Sequence, residues 1–520
     1  MPTQTPKPIV TLRIKRGADE FIISCNRGEN LLKALTNAGI LVDAPCGGRK
    51  TCGKCKAVIE GAEDANEDER RLLSGSEIDG GTRLLCCRFA EDDCTITLPV
   101  NQATILTDGF SVSGRSSVAL QKNGFGIAVD IGTTTVVAYL INLAAGETAA
   151  VESALNAQRP HGADVISRAA FSETDGGVDT LADAIRSQLS KMAHKLCEKA
   201  GISLGDIAEM SIAGNTIMLH LLMKRSVSGI VRAPFTPDFT EAIEVKAADI
   251  GIPLENAVIK TLPCVSGYVG GDTIAAVIAC GMDEFDGIAL LLDIGTNGEI
   301  VLGGKGGMIC CSAAAGPAFE GAHISCGTGA VSGAINTVKI KGGRAEVTTI
   351  GGSEAIGICG SGLLDAVAGL LENELLEDTG AFYDNSPFTN GGASYPLTER
   401  VQITQGDIRQ VQLAKSAIAA GVAVLLKEAG ISSGDVEQVY LAGGFGNYMD
   451  SASAMRIGLL DKAFAGKITQ SGNAAGAGAV MALISDETAN SAKRIASAIK
   501  YLELSQRQDF NELFIDNMFF

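Results

Sequence analysis

The sequence predicts an α+β multidomain protein: a small strand-rich domain with clustered cysteines, a polar linker, and two related α/β halves. Three observations carry this expectation. Cysteines gather between Cys46 and Cys55 in the first hundred residues. Two similar hairpin patterns, IAVDIGTTTVVAYLI from Ile127 to Ile141 and ALLLDIGTNGEI from Ala289 to Ile300, each end an apolar run in an aspartate and a glycine–threonine turn. At 520 residues the chain is too long for a single core.

Composition is globular, 46% hydrophobic and 20% charged, with no low-complexity block. A net charge of −18 argues against a nucleic-acid backbone as partner. No apolar run approaches the roughly eighteen residues that span a bilayer, and the start, MPTQTPKP, lacks a signal-peptide apolar region. The expectation is a cytoplasmic protein without membrane contact, whose 14 cysteines are thiols or metal ligands rather than disulfides.

In the N-terminal domain, Ile9–Arg16 and Phe21–Cys25 alternate like a hairpin, with Gly17 near the turn. Asn30 caps an expected helix, Leu31–Ala38, which Gly39 ends. Cys46, Cys52 and Cys55 then form a C-x5-C-x2-C loop, and Cys86 and Cys87 follow Arg83-Leu-Leu. Thr95–Leu98 reads as a last strand. Four thiolates suit a [2Fe–2S] cluster, two per iron. Zinc also takes four cysteines, but usually as two C-x2-C knuckles, and only one is present. Adjacent residues on a strand point to opposite faces, so only one of Cys86 and Cys87 can face a cluster. Cys25 and Cys94 read as core residues.

Residues 101–123 are polar, contain Ser and Gly, and read as a linker. The first hairpin then places Asp130, Gly132, Thr133 and Thr134 at a turn. Glycine lets backbone N–H groups approach phosphate, threonine adds donors, and a strand-end aspartate holds Mg²⁺ directly or through water. One such turn alone is an ordinary hairpin. NAQRPHGADVISR (156–168) is a polar loop entering a helix, where His161 is read as structural more readily than catalytic. Thr180–Gly201 is an amphipathic helix. Asn215 sits where a strand turns into a helix, as an active-site group or a cap. Gly270-Gly271-Asp272-Thr273 opens a helix, where Asp272 either orients water toward a γ-phosphate or is an N-cap.

The second hairpin carries Asp293, Gly295, Thr296, Asn297, Gly298 and Glu299. Tight turns follow at Gly316–Gly321, with Glu320, and at Gly327–Gly329. Another glycine turn, Gly357–Gly362, opens a helix containing Asp365. Val411–Glu428 is a long helix ended by Gly430. Val439–Leu441 is a strand running into Gly443, Gly444 and Gly446, bare backbone on which a base and ribose can lie. Asn473–Ser485 is a small-residue helix, and a helical tail ends in an apolar Met518–Phe520 segment expected to dock on the body.

The cysteine stretch resembles the [2Fe–2S] ferredoxins, nearer their vertebrate-type spacing, which implies a β-grasp domain with Cys46, Cys52, Cys55 and Cys86 as ligands. The two hairpins and the late GGFG turn, in that order, resemble the superfamily of acetate and sugar kinases, heat-shock chaperones and actin. That resemblance implies two RNase-H-like halves closing on Mg²⁺ and ATP. By motif, Asp130, Gly132, Thr133 and Thr134 form one phosphate turn, Asp293, Gly295, Thr296 and Asn297 the other, and Gly443, Gly444 and Gly446 surround adenosine. Asp130, Asp272, Asp293 and Glu299 are the candidate catalytic carboxylates. The domains expected are 1–100 for the cluster, 101–123 for the linker, 124–207 for a first ATPase segment or separate middle domain, 208–485 for the main ATPase domain and 486–520 for the tail.

Nearly the whole chain is similar to the reductive activators of corrinoid-dependent methyltransferase systems, through GADVISR, AGNTIMLHLL, LDIGTNGE, GICGSGLLD and LAGGFG. The resemblance implies ATP-dependent one-electron reduction of a Co(II) corrinoid protein to Co(I), a low-potential ferredoxin or flavodoxin as donor, and a homodimer. Some relatives carry further cysteine-rich modules at the C-terminus, whereas this chain has no cysteine after Cys359. The alternatives are a small-molecule kinase, an activator of another metalloenzyme, and an ATP-switched electron carrier without turnover.

Overall fold

The structure, a computed structural model, describes residues 8–99 and 122–520 apart from 18, 39, 41, 43, 45–47, 51–52, 163 and 384–386. Cys46, Cys52 and Gly39, and the expected linker up to residue 121, lie outside the described residues. The chain divides into two compact units, 1–102 with 155–185, and 103–154 with 186–520.

In the first unit a five-stranded sheet runs in the order Asp19–Asn26, Ile9–Arg16, Cys94–Thr97, Lys56–Ile59, Thr82–Leu84. The first strand forms as the alternation requires: Val10, Leu12 and Ile14 face the core, and Ile9, Thr11 and Arg13 face out. It pairs antiparallel with its hairpin partner and parallel with Cys94–Thr97, a β-grasp arrangement. Asn30 caps the helix Leu31–Asn37 by accepting the Lys33 N–H at 3.2 Å, and Leu31, Leu32 and Leu35 of that helix bury against the sheet. Two short helices, Glu67–Leu72 and Gly75–Asp79, each carry a capping box.

The second unit holds two six-stranded sheets that share one order over five strands and add the sixth on opposite edges. In the first, Glu147–Leu155, Thr135–Asn142 and Phe125–Ile131 lie side by side, and Ile207–Gly214 and Val258–Thr261 continue parallel to Phe125–Ile131. In the second, Gly307–Ala313, Gly298–Gly304 and Ala289–Ile294 are followed by the parallel strands Gln438–Ala442 and Ile468–Gln470. This repetition is what the two similar hairpins foretold. Ala289–Leu292 is buried throughout because helices cover both faces, so it reads as a continuous apolar run.

Two helices pack between the sheets, Gly271–Ala279 and Ala474–Ile484. Their approach depends on Gly478, where any Cβ would collide with the Ala275 carbonyl. The helix Gln405–Ala429 starts six residues before the expected Val411, because Thr404 and Asp407 form a capping box; left-handed Gly430 ends it. Among the described residues it is the one helix long and apolar enough to cross a membrane, and 72% of its most apolar window is buried inside the protein. Its hydropathy comes from alanines and valines that pack in the core.

The tail is not wholly helical. Helices Asp486–Ala498 and Gln508–Asp516 flank Lys500–Tyr501, which extends the second sheet beside Gly307–Ala313. The apolar end docks as expected: the Phe520 N–H donates to the Asp378 carbonyl at 2.9 Å, and the buried Lys415 ammonium lies 5.3 Å from the Phe520 ring centroid.

Candidate functional site

The site in the second unit is built from strand ends. Asp130 lies one residue before the end of Phe125–Ile131, and Asp293 occupies the same place in Ala289–Ile294. Register sets Asp293 directly opposite Glu299 and beside Ala442. Opposed residues of an antiparallel pair project from one face, so two carboxylates share this one. Ser312, next across the ladder, donates to Glu299 at 3.3 Å.

Asp272 enters from the first turn of helix Gly271–Ala279, where its Oδ1 accepts the Thr273 N–H at 2.8 Å. The N-cap itself is Gly270, so the N-cap reading of Asp272 does not hold. Gly270 is pressed against the Asn215 turn of the same half: a Cβ there would lie 2.5 Å from Asn215 Cα. Asn215 is a helix cap, and it also reaches the first hairpin turn. Its Oδ1 caps helix Thr216–Leu222 through the Met218 N–H at 3.0 Å, and its Nδ2 donates to Thr133 Oγ1 at 3.1 Å.

Burial raises the proton affinity of all four acids, and the charges of Asp272 and Asp293 add to it in their neighbours. Burial, then the charges of Asp272 and Asp293, push the Asp130 carboxyl up to about 7. Burial lifts Asp272 to about 6 and, with Asp272 beside it, Asp293 to about 7. Glu299 is raised well above the usual carboxylate range by burial, then by Asp272 and Asp293. Clustered acids with raised affinity mark a place where a cation belongs. Among the described residues no group of three or more His, Cys, Asp or Glu closes a metal cage. Mg²⁺ needs no such cage where phosphates and waters complete its shell.

The turns leave room for a ligand that bare backbone can touch. Gly132 folds tightly, since a Cβ would lie 2.8 Å from the Thr135 carbonyl. In the second turn the Gly295 N–H donates to the Asn297 carbonyl at 2.9 Å, and Thr296 donates to Glu320 at 3.1 Å. Gly443 has φ +80°, and a Cβ on it would lie 2.5 Å from Asp293 Oδ1. Gly443–Gly446 is one helical turn, with open space over Gly444 and Phe445 stacked on Phe319 at 4.4 Å. His161 and Asp164 belong to the other unit. His161 packs on Phe171, and Asp164 caps helix Val165–Ser172.

The cysteine site is described through Cys55, Cys86 and Cys87, all buried. One expectation is corrected: the strand ends at Leu84, and Leu85–Cys87 is a 3₁₀ turn. Strand alternation therefore does not separate the two cysteines, whose sulfurs lie 3.8 Å apart. The turn is held from two sides. The Leu85 N–H donates to the Cys55 carbonyl at 2.9 Å, and Asn30 Nδ2 donates to the Cys86 and Arg88 carbonyls at 3.0 and 3.1 Å. Gly48, on the cysteine loop, has its Cβ position 4.0 Å from Cys86 Cβ, which puts Cys86 beside that loop. Burial, then Cys86, pushes the Cys87 thiol up to about 12. A buried thiol donor set beside a glycine-bearing loop fits a [2Fe–2S] cluster.

Three family models cover most of the chain: the 2Fe–2S iron–sulfur cluster binding domain at residues 15–91, the RACo middle region at 125–285, and the C-terminal domain of RACo, the ASKHA domain, at 287–520. The chain is 34% identical over 422 residues to the corrinoid activation enzyme RamQ of Eubacterium limosum, covering 77% of this chain and 71% of the relative. The chain belongs to the family of corrinoid reductive activators. A second relative is the [Co(II) methylated amine-specific corrinoid protein] reductase of Methanosarcina barkeri, 27% identical over 425 residues, with 75% of this chain and 76% of that one covered. The solved reductive activator for corrinoid, iron–sulfur protein superposes over 98% of both chains with a TM-score of 0.68 at 28% identity. The N-terminal domain is the [2Fe–2S] cluster domain, Asp293 and Glu299 lie in the ASKHA domain, and Asp130 and Asp272 lie in the RACo middle region.

Proposed function

We propose that this activator uses Mg–ATP to drive one-electron reduction of a Co(II) corrinoid protein to Co(I), with the N-terminal cluster as the immediate donor. The observation that carries the reading is the joining, in one chain, of a [2Fe–2S] cluster domain to an ASKHA domain, with the acids Asp130, Asp272, Asp293 and Glu299 clustered at strand and helix ends. Phosphoryl transfer to a small molecule needs no electron carrier, and a simple electron carrier needs no such domain. The two relatives named for corrinoid activation and corrinoid reduction support the choice of acceptor.

The energetic need is plain. A [2Fe–2S] centre of plant type lies near roughly −400 mV, and a bound corrinoid's Co(II)/Co(I) couple is expected lower. For one electron each ~59 mV uphill costs about 1.4 kcal/mol. Nucleotide offsets this only by favouring a state of the complex in which cobalt is easier to reduce. In this chain, Asp130 and Asp293 hold the metal, bare backbone at residues 132 and 295 meets the phosphates, and Gly443 and Gly444 receive adenosine. Asp272 and Glu299 orient water and take up its proton, roles suited to carboxyls whose proton affinity burial has raised. The bound cluster supplies one electron at a time at low potential. A low-potential ferredoxin or flavodoxin reloads it, and the working species is a cytoplasmic homodimer.

Asp293→Ala tests the division of labour. ATP turnover is expected to fall roughly a hundredfold or more while the visible spectrum of the cluster stays unchanged. Normal turnover would show that the metal–phosphate site lies elsewhere.

A further inference from the structure

Glu320 brings a fifth carboxylate to the second hairpin turn, from outside the hairpin. It closes the 3₁₀ turn Pro317–Glu320, which left-handed Gly321 ends at φ +77°. That turn is pinned. The Gly321 N–H donates to the Ala318 carbonyl at 3.0 Å and the Ala322 N–H to the Pro317 carbonyl at 3.1 Å. Buried Phe319 stacks on Phe445 of the late glycine turn at 4.4 Å, so Glu320 is presented from a fixed base. Its Oε2 accepts the Thr296 hydroxyl at 3.1 Å, and the Cβ position of Gly295 lies 3.7 Å from its Oε1. The carboxylate therefore lies along the turn, one oxygen on Thr296 and the other beside Gly295. Thr296 and Glu320 are only partly buried, which leaves them within reach of a ligand.

A threonine hydroxyl has one proton to donate and two lone pairs with which to accept, whereas an ionised carboxylate only accepts. The Thr296 proton is thus committed to Glu320, and what the hydroxyl offers a ligand is its lone pairs. Lone pairs do not suit a phosphate oxygen, which is itself an acceptor. They suit a cation, or the O–H of a water in its shell. The hairpin motif makes Thr296 a donor to phosphate; the contact with Glu320 reverses that part.

We propose that Glu320 is a positioning residue for ATP turnover: by taking the Thr296 proton it makes the Thr296 oxygen an acceptor for the hydrated cation that accompanies the nucleotide. This rests on the nucleotide reading of the cleft and adds a polarity to its second turn. Glu320 acts through Thr296, so its loss falls on cation binding and turnover and not on affinity for metal-free nucleotide. A carboxylate that drew the cation through space would act with or without the hydroxyl, and one that merely tied a loop would alter stability and not cation binding.

The test uses the full chain with its cluster. Calorimetric titration of the wild-type protein with Mg–ADP comes first: a wild type that binds none overturns the nucleotide reading, and this proposal with it. Given binding, Mg²⁺ is titrated into each protein saturated with metal-free ADP, beside kcat for ATP hydrolysis. Glu320→Ala and Thr296→Val are each expected to weaken Mg²⁺ binding roughly fivefold or more and to lower kcat roughly tenfold or more, with affinity for metal-free ADP within about threefold. The double variant is expected to lie within about threefold of the more impaired single variant, because the two residues act as one unit. Losses that multiply in the double variant overturn the proposal, as does wild-type Mg²⁺ binding by Glu320→Ala. Thr296→Ser against Thr296→Val decides without any change at Glu320. The serine variant, which keeps a hydroxyl, is expected to bind Mg²⁺ within about threefold of wild type, and a serine variant as weak as the valine variant overturns the proposal.

Discussion

Gly443 and Asp293 share one space: the Cβ that any other residue would bring to position 443 would stand 2.5 Å from Asp293 Oδ1. The glycine is also left-handed, at φ +80°, where an L side chain costs about 1–2 kcal/mol. The late glycine turn therefore has a role besides the adenosine contact proposed for it. It is what lets the second strand-end carboxylate stand where it does.

Gly443→Ala should accordingly cost both binding and turnover. ATP hydrolysis is expected to fall roughly a hundredfold, with the cluster's visible absorbance intact. Steady-state hydrolysis beside the cluster spectrum checks this, and a variant that turns over at the wild-type rate contradicts the shared-space account.

The two adjacent cysteines should behave differently despite their 3.8 Å separation. Cys86 has the loop glycine Gly48 against its Cβ. Cys86→Ala is expected to lose the [2Fe–2S] absorbance and electron paramagnetic signal, and Cys87→Ala to keep both. Reversal of the two outcomes would transfer the ligand to Cys87.

The acidic cleft predicts how the metal-free protein responds to pH. The carboxyls of Asp130 and Asp293 are raised to about 7 in the folded chain against about 4 when unfolded. Between those values the folded state binds more protons, so the stability these groups contribute is full below about pH 4 and is lost as pH rises toward 7. Thermal unfolding without Mg²⁺ should show this contribution declining from pH 5 to pH 8, and Mg–ADP should flatten the decline. An apo profile unaffected by Mg–ADP would count against a cation site there.

Behind the cysteine turn, Glu69 is fully buried and accepts from Arg88 Nε at 2.9 Å and from the Leu84 and Asn66 N–H groups at 3.0 Å. Burial works against its charge, but Arg88 and these donors hold the carboxyl below its usual range. Glu69→Ala leaves Arg88 without that partner and is expected to destabilise the N-terminal domain by about 3–5 kcal/mol. Thermal bleaching of the cluster reads this directly, and bleaching at the wild-type temperature would contradict it.

Much of this architecture was legible because local pattern decided it. Alternation gave the Ile9–Arg16 strand, and aspartate followed by a glycine–threonine turn gave both hairpins. The misreadings were also local. Cys86 and Cys87 follow three strand residues, yet the backbone tightens into a 3₁₀ turn that Asn30 and Cys55 hold from far along the chain. Of the two readings of Asp272, the cap fails because Gly270 takes that place, pressed against Asn215. The contacts that complete the cleft were the least legible. Asn473 meets Tyr139 across the two halves, while Glu320 meets Thr296 and Gly270 meets Asn215 through loops of one half, and no periodicity marks such partners. The two-residue strand Lys500–Tyr501 is too short for alternation to show.

The most direct test of the coupling mixes the reduced, cluster-loaded protein with a Co(II) corrinoid protein and follows the visible spectrum with and without Mg–ATP. The account predicts a Co(I) band that grows only when Mg–ATP is present and fails to grow with Cys86→Ala or Asp293→Ala. A Co(I) band of equal rate and extent without nucleotide, or none with any corrinoid partner, would contradict it.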